Sequence, residues 1–161
     1  MLGKLDLAVL RAFRTRGHTP ALDRRVATFS HLGEQGSVWF AICGLGALVD
    51  PGGRAVYARA AKAVLGTYAL NQLIKVTVRR PRPRIEDLPP LTGTLTGLSY
   101  PSAHAATSFA GARMLSEALP AAPLYALALA LCLSRLYLGV HYPSDIVAGV
   151  ALGSATAELA S

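Results

Sequence analysis

The sequence predicts an all-α fold: an integral membrane helical bundle of about five spanning helices with an N-terminal amphipathic helix in the plane of the membrane surface. Three observations predict it. Of 161 residues, 52% are hydrophobic and 16% charged, and mean hydropathy is +0.39, an unusual balance for a soluble domain. The apolar residues come in runs of helical length, separated by breaks bearing Pro and Gly. Most of the charges fall in the N-terminal third and between Lys75 and Arg84, apart from those runs.

The net charge of +7 and pI of 9.9 are compatible with an anionic partner. A nucleic-acid binder carries its cations on a solvated face and has few long apolar runs. No nucleic acid is therefore expected, and lipid headgroups or phosphates fit better. The length predicts one membrane-embedded domain, residues 1–161, with interfacial helices over 1–32 and the bundle over 33–161. Cys43 and Cys132 sit in apolar sequence without ligand-spaced neighbours, so they read as buried thiols, neither a disulfide nor a metal site. Charges at Lys4, Asp6 and Arg11 interrupt the N-terminus, so no cleavable signal peptide is expected and insertion depends on the internal helices.

Residues 2–14 place Leu2, Leu5, Val9 and Phe13 on one helical face, with Lys4, Arg11 and Arg14 roughly opposite, as in a helix lying on a bilayer. Gly17 to Pro20 is a break, and 21–32 forms a short second helix that exposes Arg24 and Arg25. The apolar run 38–49 is too short to span alone, since a span takes about 20 residues. Counted from Gly33 it becomes a tilted or thin span, closed by the turn Asp50-Pro51-Gly52-Gly53. A helix over 55–76 carries Arg59, Lys62, Asn71 and Gln72 and ends at Lys75. The Pro- and Thr-rich stretch 77–100 is a loop, long enough to suggest a functional one. Helices follow over 101–119, 124–140 and 143–161, the last with Gly149 and Gly153 spaced for close packing.

Tracing these crossings back and forth brings Lys75, Arg82, His104, Arg135, His141 and Asp145 to one membrane face. The chemistry of that set suits a phosphate. Tyr100-Pro101-Ser102 and Tyr142-Pro143-Ser144 each place proline at a helix start, and two helix N-termini beside three cations form an anion pocket. There His104 is placed to attack phosphorus, His141 to donate and accept a proton, and Asp145, four residues on, to orient His141.

Each residue alone also has an ordinary reading. Arg135 fits a cation snorkelling to the interface, a lone histidine fits a structural role, and 79–84 fits a basic juxtamembrane segment that holds anionic lipid. Tyr100, Tyr137 and Tyr142 read as interface aromatics. His18 and His31 have no matching neighbours in the sequence and no assigned role.

Together the residues resemble the type 2 phosphatidic acid phosphatase superfamily, which also includes vanadium-dependent haloperoxidases. Its first motif is Lys, six residues, Arg-Pro, matched by Lys75, Arg82 and Pro83. Its second, Pro-Ser-Gly-His, is met by Pro101-Ser102-Ala103-His104, with alanine for glycine. Its third is matched by Ser134, Arg135, His141 and Asp145 in order and spacing. The resemblance implies a helical bundle, His104 as nucleophile and His141 as acid and base. It also implies phosphate contacts from Lys75, Arg82, Ser102, the Ala103 position and Arg135, with no metal and no cofactor.

The expected substrate is a lipid phosphomonoester or pyrophosphate, polyprenyl-linked by preference, with phosphatidic acid and phosphatidylglycerol phosphate open. The expected location is the cell membrane, multi-pass, with the site leaning cytoplasmic from the N-terminal cations. A non-catalytic lipid-phosphate binder or transporter is the alternative of a different class; a haloperoxidase is disfavoured because those relatives are larger and soluble. Ala103 departs from the motif: it fits a helical φ and not a positive one.

Overall fold

The computed structural model describes residues 2–161, and its regular elements are all helical: α1 Leu2–Thr15, α2 Pro20–His31, α3 Ser37–Val49, α4 Arg54–Val78, α5 Ala103–Leu115, α6 Ala121–Tyr137 and α7 Pro143–Ala160. Two short 3-10 turns, Glu34–Gly36 and Pro51–Gly53, lead into α3 and α4. Asp50 caps the second turn through the Gly53 amide at 3.1 Å.

Helix α5 is the axis of the bundle, packed by α3, α4, α6 and α7. Its sequence explains this position. Nearly every residue from His104 to Leu115 is buried, and most are Ala, Ser, Thr or Gly, whose small side chains let neighbouring helices approach closely. Gly149 and Gly153 of α7 face it: a Cβ on Gly149 would lie 2.5 Å from the Ser102 carbonyl oxygen, and one on Gly153 would run into the Ala106 carbonyl. On the other side the Trp39 indole lies against Gly111 and donates to Ser108 Oγ at 3.1 Å.

One end of the bundle carries the ion pairs Arg59–Glu117 and Arg113–Glu158. The opposite end gathers α1, α2, the loop between α4 and α5, and the turn between α6 and α7. Alternate helices reverse direction, so all of the motif residues lie at this second end.

Among the described residues no single helix is long and apolar enough to cross a membrane by itself; α2 with α3 passes as a pair bent by 43°. α3 and α5 have 13 residues each and α4 has 25, about 20 Å against about 37 Å at 1.5 Å per residue.

The N-terminal helix departs from the expected pattern. Its inward stripe is Asp6, Leu10 and Arg14, all buried, whereas Leu5 is 64% exposed; the side chain of Leu2 lies outside the described residues. Arg14 therefore faces inward, donating to the carbonyls of Pro89 at 2.7 Å and Tyr137 at 3.4 Å. Helical spacing of four put these polar residues on one face with Leu10, and specific partners outweigh their preference for water: carbonyl acceptors in α6 and the long loop for Arg14, and donors from Ser144 and Arg80 for Asp6. Arg24 and Arg25 of α2 are exposed as expected.

His18, unassigned from sequence, is stacked on Tyr137 with ring centroids 4.1 Å apart. It bonds Asp23 at 2.9 Å, and Tyr137 donates to the same carboxylate at 2.6 Å. Tyr137, read from sequence as an interface aromatic, is thus a link between the α1–α2 corner and α6.

Candidate active site

The long loop brings the first motif into place. Helix α4 ends at Val78, beyond the expected Lys75, because Arg79 takes a left-handed conformation (φ 55°) and its N–H closes on the Lys75 carbonyl at 3.0 Å. Residues 80–82 then pair antiparallel with 97–99: Arg82 N–H donates to the Gly97 carbonyl and Ser99 N–H to the Arg80 carbonyl. This clamp narrows the loop at its base, and Leu91 N–H anchors its middle to the Leu138 carbonyl at 2.9 Å. The basic run 79–84 consequently splits: Arg79 and Arg84 are exposed, while Arg80 and Arg82 turn inward.

A cleft is lined by Lys75, Arg82, Ala103, His104, Arg135 and His141, with Glu34, Gln35, Tyr68, Gln72 and residues 94–96 around them. Lys75 and Arg135 are buried, and Arg82 is partly so. Lys75 Nζ donates to the Leu98 carbonyl at 3.3 Å. Arg82 donates through Nε to the Thr96 carbonyl at 2.8 Å, and through one terminal nitrogen to the Val140 carbonyl at 2.8 Å and to His141 Nε2 at 3.1 Å.

Arg135 donates to Ser30 Oγ at 2.7 Å, yet its Nε–H is buried without a partner. Among the described residues none of the three cations is paired with a carboxylate within 4.0 Å. Cations removed from water without a counterion cost several kcal/mol each, so the cleft favours an anion.

His104 occupies the second position of α5. Its Nε2–H donates to the Ser30 carbonyl at 2.9 Å, so the neutral ring has its lone pair on Nδ1. Ser30, at the end of α2, also accepts from Ser134 Oγ at 2.9 Å, and so joins His104 and Arg135 to one buried residue outside all three motifs. Gly33 is packed on the ring edge, where a Cβ would lie 2.6 Å from His104 Cδ2.

His141 accepts from Arg82 at Nε2 and directs Nδ1–H towards Asp145 at 3.4 Å. Asp145 also accepts from the Tyr142 amide at 2.9 Å and from Arg80 at 2.8 Å. Arg80 was not singled out in the sequence. It bridges Asp145 to Asp6 at 2.8 Å and lies over the Tyr142 ring, 4.1 Å from its centroid. The acidic residue on the buried stripe of an otherwise basic α1 was the signal for this bridge.

The two proline turns are not equivalent. Ser102 is the N-cap of α5, accepting from Ala105 N–H at 3.4 Å, so Pro101 precedes the cap; at α7, Tyr142 is the N-cap and Pro143 the first helical residue. The α7 N-terminus already has its anions, because Asp6 takes the Ser144 amide at 2.9 Å and Asp145 the Tyr142 amide. Only the α5 N-terminus is left facing the cleft, with the Ala103 and His104 amides lacking intrahelical acceptors. Ser102 and Asp145 stand behind the lining rather than in it. Ala103 is not among the non-glycine residues of positive φ, so its methyl causes no backbone strain.

The sequence pattern of the PAP2 superfamily matches residues 56–161. The chain belongs to the PAP2 superfamily. Among curated relatives, the decaprenylphosphoryl-5-phosphoribose phosphatase of Mycolicibacterium smegmatis is 40% identical over 122 residues, 74% of this chain and 67% of the relative. Its Mycobacterium tuberculosis counterpart is 38% identical over 125 residues, covering 78% and 71%. The crystal structure of Aquifex aeolicus LpxE superposes with a TM-score of 0.80 at 26% identity, over 97% of this chain and 94% of that one. A transmembrane PAP2-type phosphatidylglycerolphosphate phosphatase from Bacillus subtilis gives 0.76 at 25% identity, over 98% and 83%. A bacterial vanadium-dependent iodoperoxidase shares the fold, with a TM-score of 0.79, at 18% identity over 98% of this chain and 48% of that one. This PAP2 member is a lipid phosphatase and a phosphoric monoester hydrolase.

Burial depresses the His141 imidazole well below the ordinary histidine range, and Arg82, Arg135 and Lys75 push it the same way. Burial likewise brings the Arg82 guanidinium down to about 10. A bound phosphate dianion places negative charge among those cations and raises His141 again. In an NMR titration in micelles, the His141 midpoint is expected below about 6.5 in the free protein and higher when inorganic phosphate is saturating; an unchanged midpoint would separate His141 from the anion site. Because the folded value is depressed, the stability contribution from neutral His141 is complete above about 6.5 and is lost as pH falls through the folded value.

Proposed function

We propose that this chain hydrolyses a polyprenyl-linked phosphomonoester at the membrane surface through a phosphohistidine intermediate. One observation carries the reading: three cations converge on one cleft without a carboxylate partner among the described residues, beside a histidine with a free lone pair.

In the first step, the unprotonated nitrogen of His104 forms a bond to phosphorus as the bond to the leaving alkoxide breaks, and His141, carrying a second proton on Nε2 while the phosphate dianion is bound, gives that proton to the alkoxide and returns to the neutral form. In the second, His141 takes a proton from water, the water oxygen bonds to phosphorus, and the nitrogen–phosphorus bond breaks to release inorganic phosphate. Lys75, Arg82, the Arg135 Nε–H and the α5 amides hold the transferring oxygens; stabilising charge that develops in flight is the main catalytic term. Asp145 keeps His141 in the tautomer that works through Nε2.

The curated relatives named for a decaprenylphosphoryl substrate support the polyprenyl choice. The Bacillus subtilis structure keeps phosphatidylglycerol phosphate as the second reading. Five crossings, by α3 with the turn before it and by α4 to α7, set the chain in the bilayer with α1, α2 and the site on one face. Lys4, Arg11, Arg16, Arg24 and Arg25, exposed on that face, favour the cytoplasmic side. Thiol labelling of single cysteines placed in the 92–96 loop tests this from each side.

The function is tested with a panel of lipid phosphates in detergent, scored for released inorganic phosphate with and without chelator. Release from at least one of them, unaffected by chelator, is expected. Binding without release would support a carrier, and chelator-sensitive turnover would oppose this mechanism.

A further inference from the structure

His141 has two opposite tasks at one nitrogen: Nε2 gives a proton to the alkoxide and later takes one from water. Both need the ring held in one orientation from its other side. There Nδ1 faces Asp145 at 3.4 Å, long for a bond that has to fix a ring. Whatever fixes the carboxylate therefore decides where the imidazole points.

Asp145 has no exposed side-chain surface, and its two oxygens are divided. Oδ2 faces His141 and accepts from the Tyr142 amide at 2.9 Å, and Oδ1 accepts from Arg80 at 2.8 Å. The Tyr142 amide follows His141 in the chain and moves with it. Arg80 comes from the 80–82 clamp, so it holds the carboxylate against a reference outside that turn.

The guanidinium is itself held from several sides. The terminal nitrogen that bonds Asp145 also reaches Ser144 Oγ at 2.7 Å, the other donates to Asp6 Oδ2 at 2.8 Å, and the group lies over the Tyr142 ring. Asp6 is buried and takes the Ser144 amide with its second oxygen. Shared between two carboxylates on different helices, the guanidinium cannot follow Asp145 if that side chain turns, and Oδ2 stays on His141. An ammonium group has no fork for this.

Helix α1 brings Asp6 from outside residues 56–161, the part that carries the family pattern. Leu10 and Arg14, one and two turns on, are buried and dock the helix independently of it. The Asp6 carboxylate is thus free to serve Arg80 and Ser144.

Resting on the proposed phosphohistidine mechanism, we propose that Arg80 and Asp6 are positioning residues for His141. Through Asp145 they fix the imidazole for both proton transfers, and the N-terminal helix is thereby a working part of the active site. Neither residue lines the cleft, so their effect falls on proton transfer and leaves phosphate binding alone.

The test uses the full chain in micelles with a prenyl monophosphate and with p-nitrophenyl phosphate. On the prenyl phosphate, Arg80→Gln should lower kcat by about 10- to 100-fold, the scale on which misplacing a reacting group acts, with KM and the inhibition constant of inorganic phosphate within about twofold of wild type. On p-nitrophenyl phosphate the two steps separate. The nitrophenolate leaves without a proton, so attack by His104 does not need His141, whereas attack by water on the phosphohistidine still needs it as base. Arg80→Gln should therefore release a rapid burst of nitrophenolate, larger than that of wild type, then turn over slowly while labelled phosphoprotein accumulates.

Asp6→Asn, which keeps an acceptor oxygen in place, should show the same pattern more weakly and carries the test if Arg80→Gln is too unstable to isolate. Added to Arg80→Gln it should cost little more, because its effect passes through the guanidinium. Arg80→Lys should recover only part of the loss. A burst and a steady rate that fall in the same proportion, a loss carried by KM, or variants equal to wild type overturns the positioning role and leaves the phosphatase standing. Wild-type protein that turns over without forming a labelled phosphoprotein overturns the mechanism on which the proposal rests.

Discussion

His104→Ala is expected to lower kcat by roughly 10⁴-fold or more, the scale on which removal of a covalent nucleophile acts. Affinity for inorganic phosphate should fall little, because Lys75, Arg82 and Arg135 keep their places without it. The substitution also removes the donor to the Ser30 carbonyl and opens space beside Gly33, so some stability is lost as well. His104→Gln, which keeps a polar side chain at that position, separates the two effects: it should recover part of the thermal stability and none of the turnover. Incubation of wild-type protein with labelled substrate followed by rapid quenching should give an alkali-stable, acid-labile phosphoprotein that His104→Ala lacks. A binder or carrier behaves differently: it releases no phosphate before or after the change and never takes up label. Residual turnover within tenfold of wild type would remove His104 from the covalent step.

Much of this site was legible in the chain because it depends on spacing. Lys75 to Arg82, Ser102 to His104 and Arg135 through His141 to Asp145 are local relations, and a reversal of direction at each helix was enough to bring them to one end. The helices were legible for a similar reason, since their apolar runs and their Pro and Gly breaks are local signals.

What escaped depends on contacts between distant elements. Arg80 differs from Arg79 and Arg84 only in which way the chain turns after α4, and that direction is set by the left-handed Arg79 and the 80–82 clamp. Arg14 read as a charge on the polar face of α1, and Asp6 only as a break in the apolar N-terminus, because their partners lie 74 or more positions away. Ser30 carries no motif at all. It acquires a role through bonds to His104 of α5 and to Ser134 and Arg135 of α6, which only the docking of α2 on those helices creates. The similar look of the two proline turns was misleading for the same reason: Asp6, from another helix, occupies one of the two N-termini.

Arg135→Lys is the second large effect expected, a fall of about 10²–10³ in kcat/KM, the range seen when one preorganised donor to a transition state is removed. The substitution keeps the positive charge, so simple attraction of the substrate to the cleft survives. What it loses is direction. Arg135, which lines the cleft, uses one terminal nitrogen on Ser30 Oγ and has a buried Nε–H without a partner. An ammonium group has no fork with which to bond Ser30 and two phosphate oxygens together. The loss should fall on the geometry of the transferring phosphoryl group more than on the ground state. Orthovanadate, whose five-coordinate form resembles that group in flight, should accordingly lose affinity nearly in step with kcat/KM, while inorganic phosphate loses much less. Equal losses for vanadate and phosphate would make Arg135 a plain electrostatic anchor. Ser30→Ala offers the complementary measurement. If Ser30 holds the guanidinium in register, this change reproduces a fraction of the Arg135→Lys pattern, vanadate falling more than phosphate, although Ser30 makes no contact with either anion.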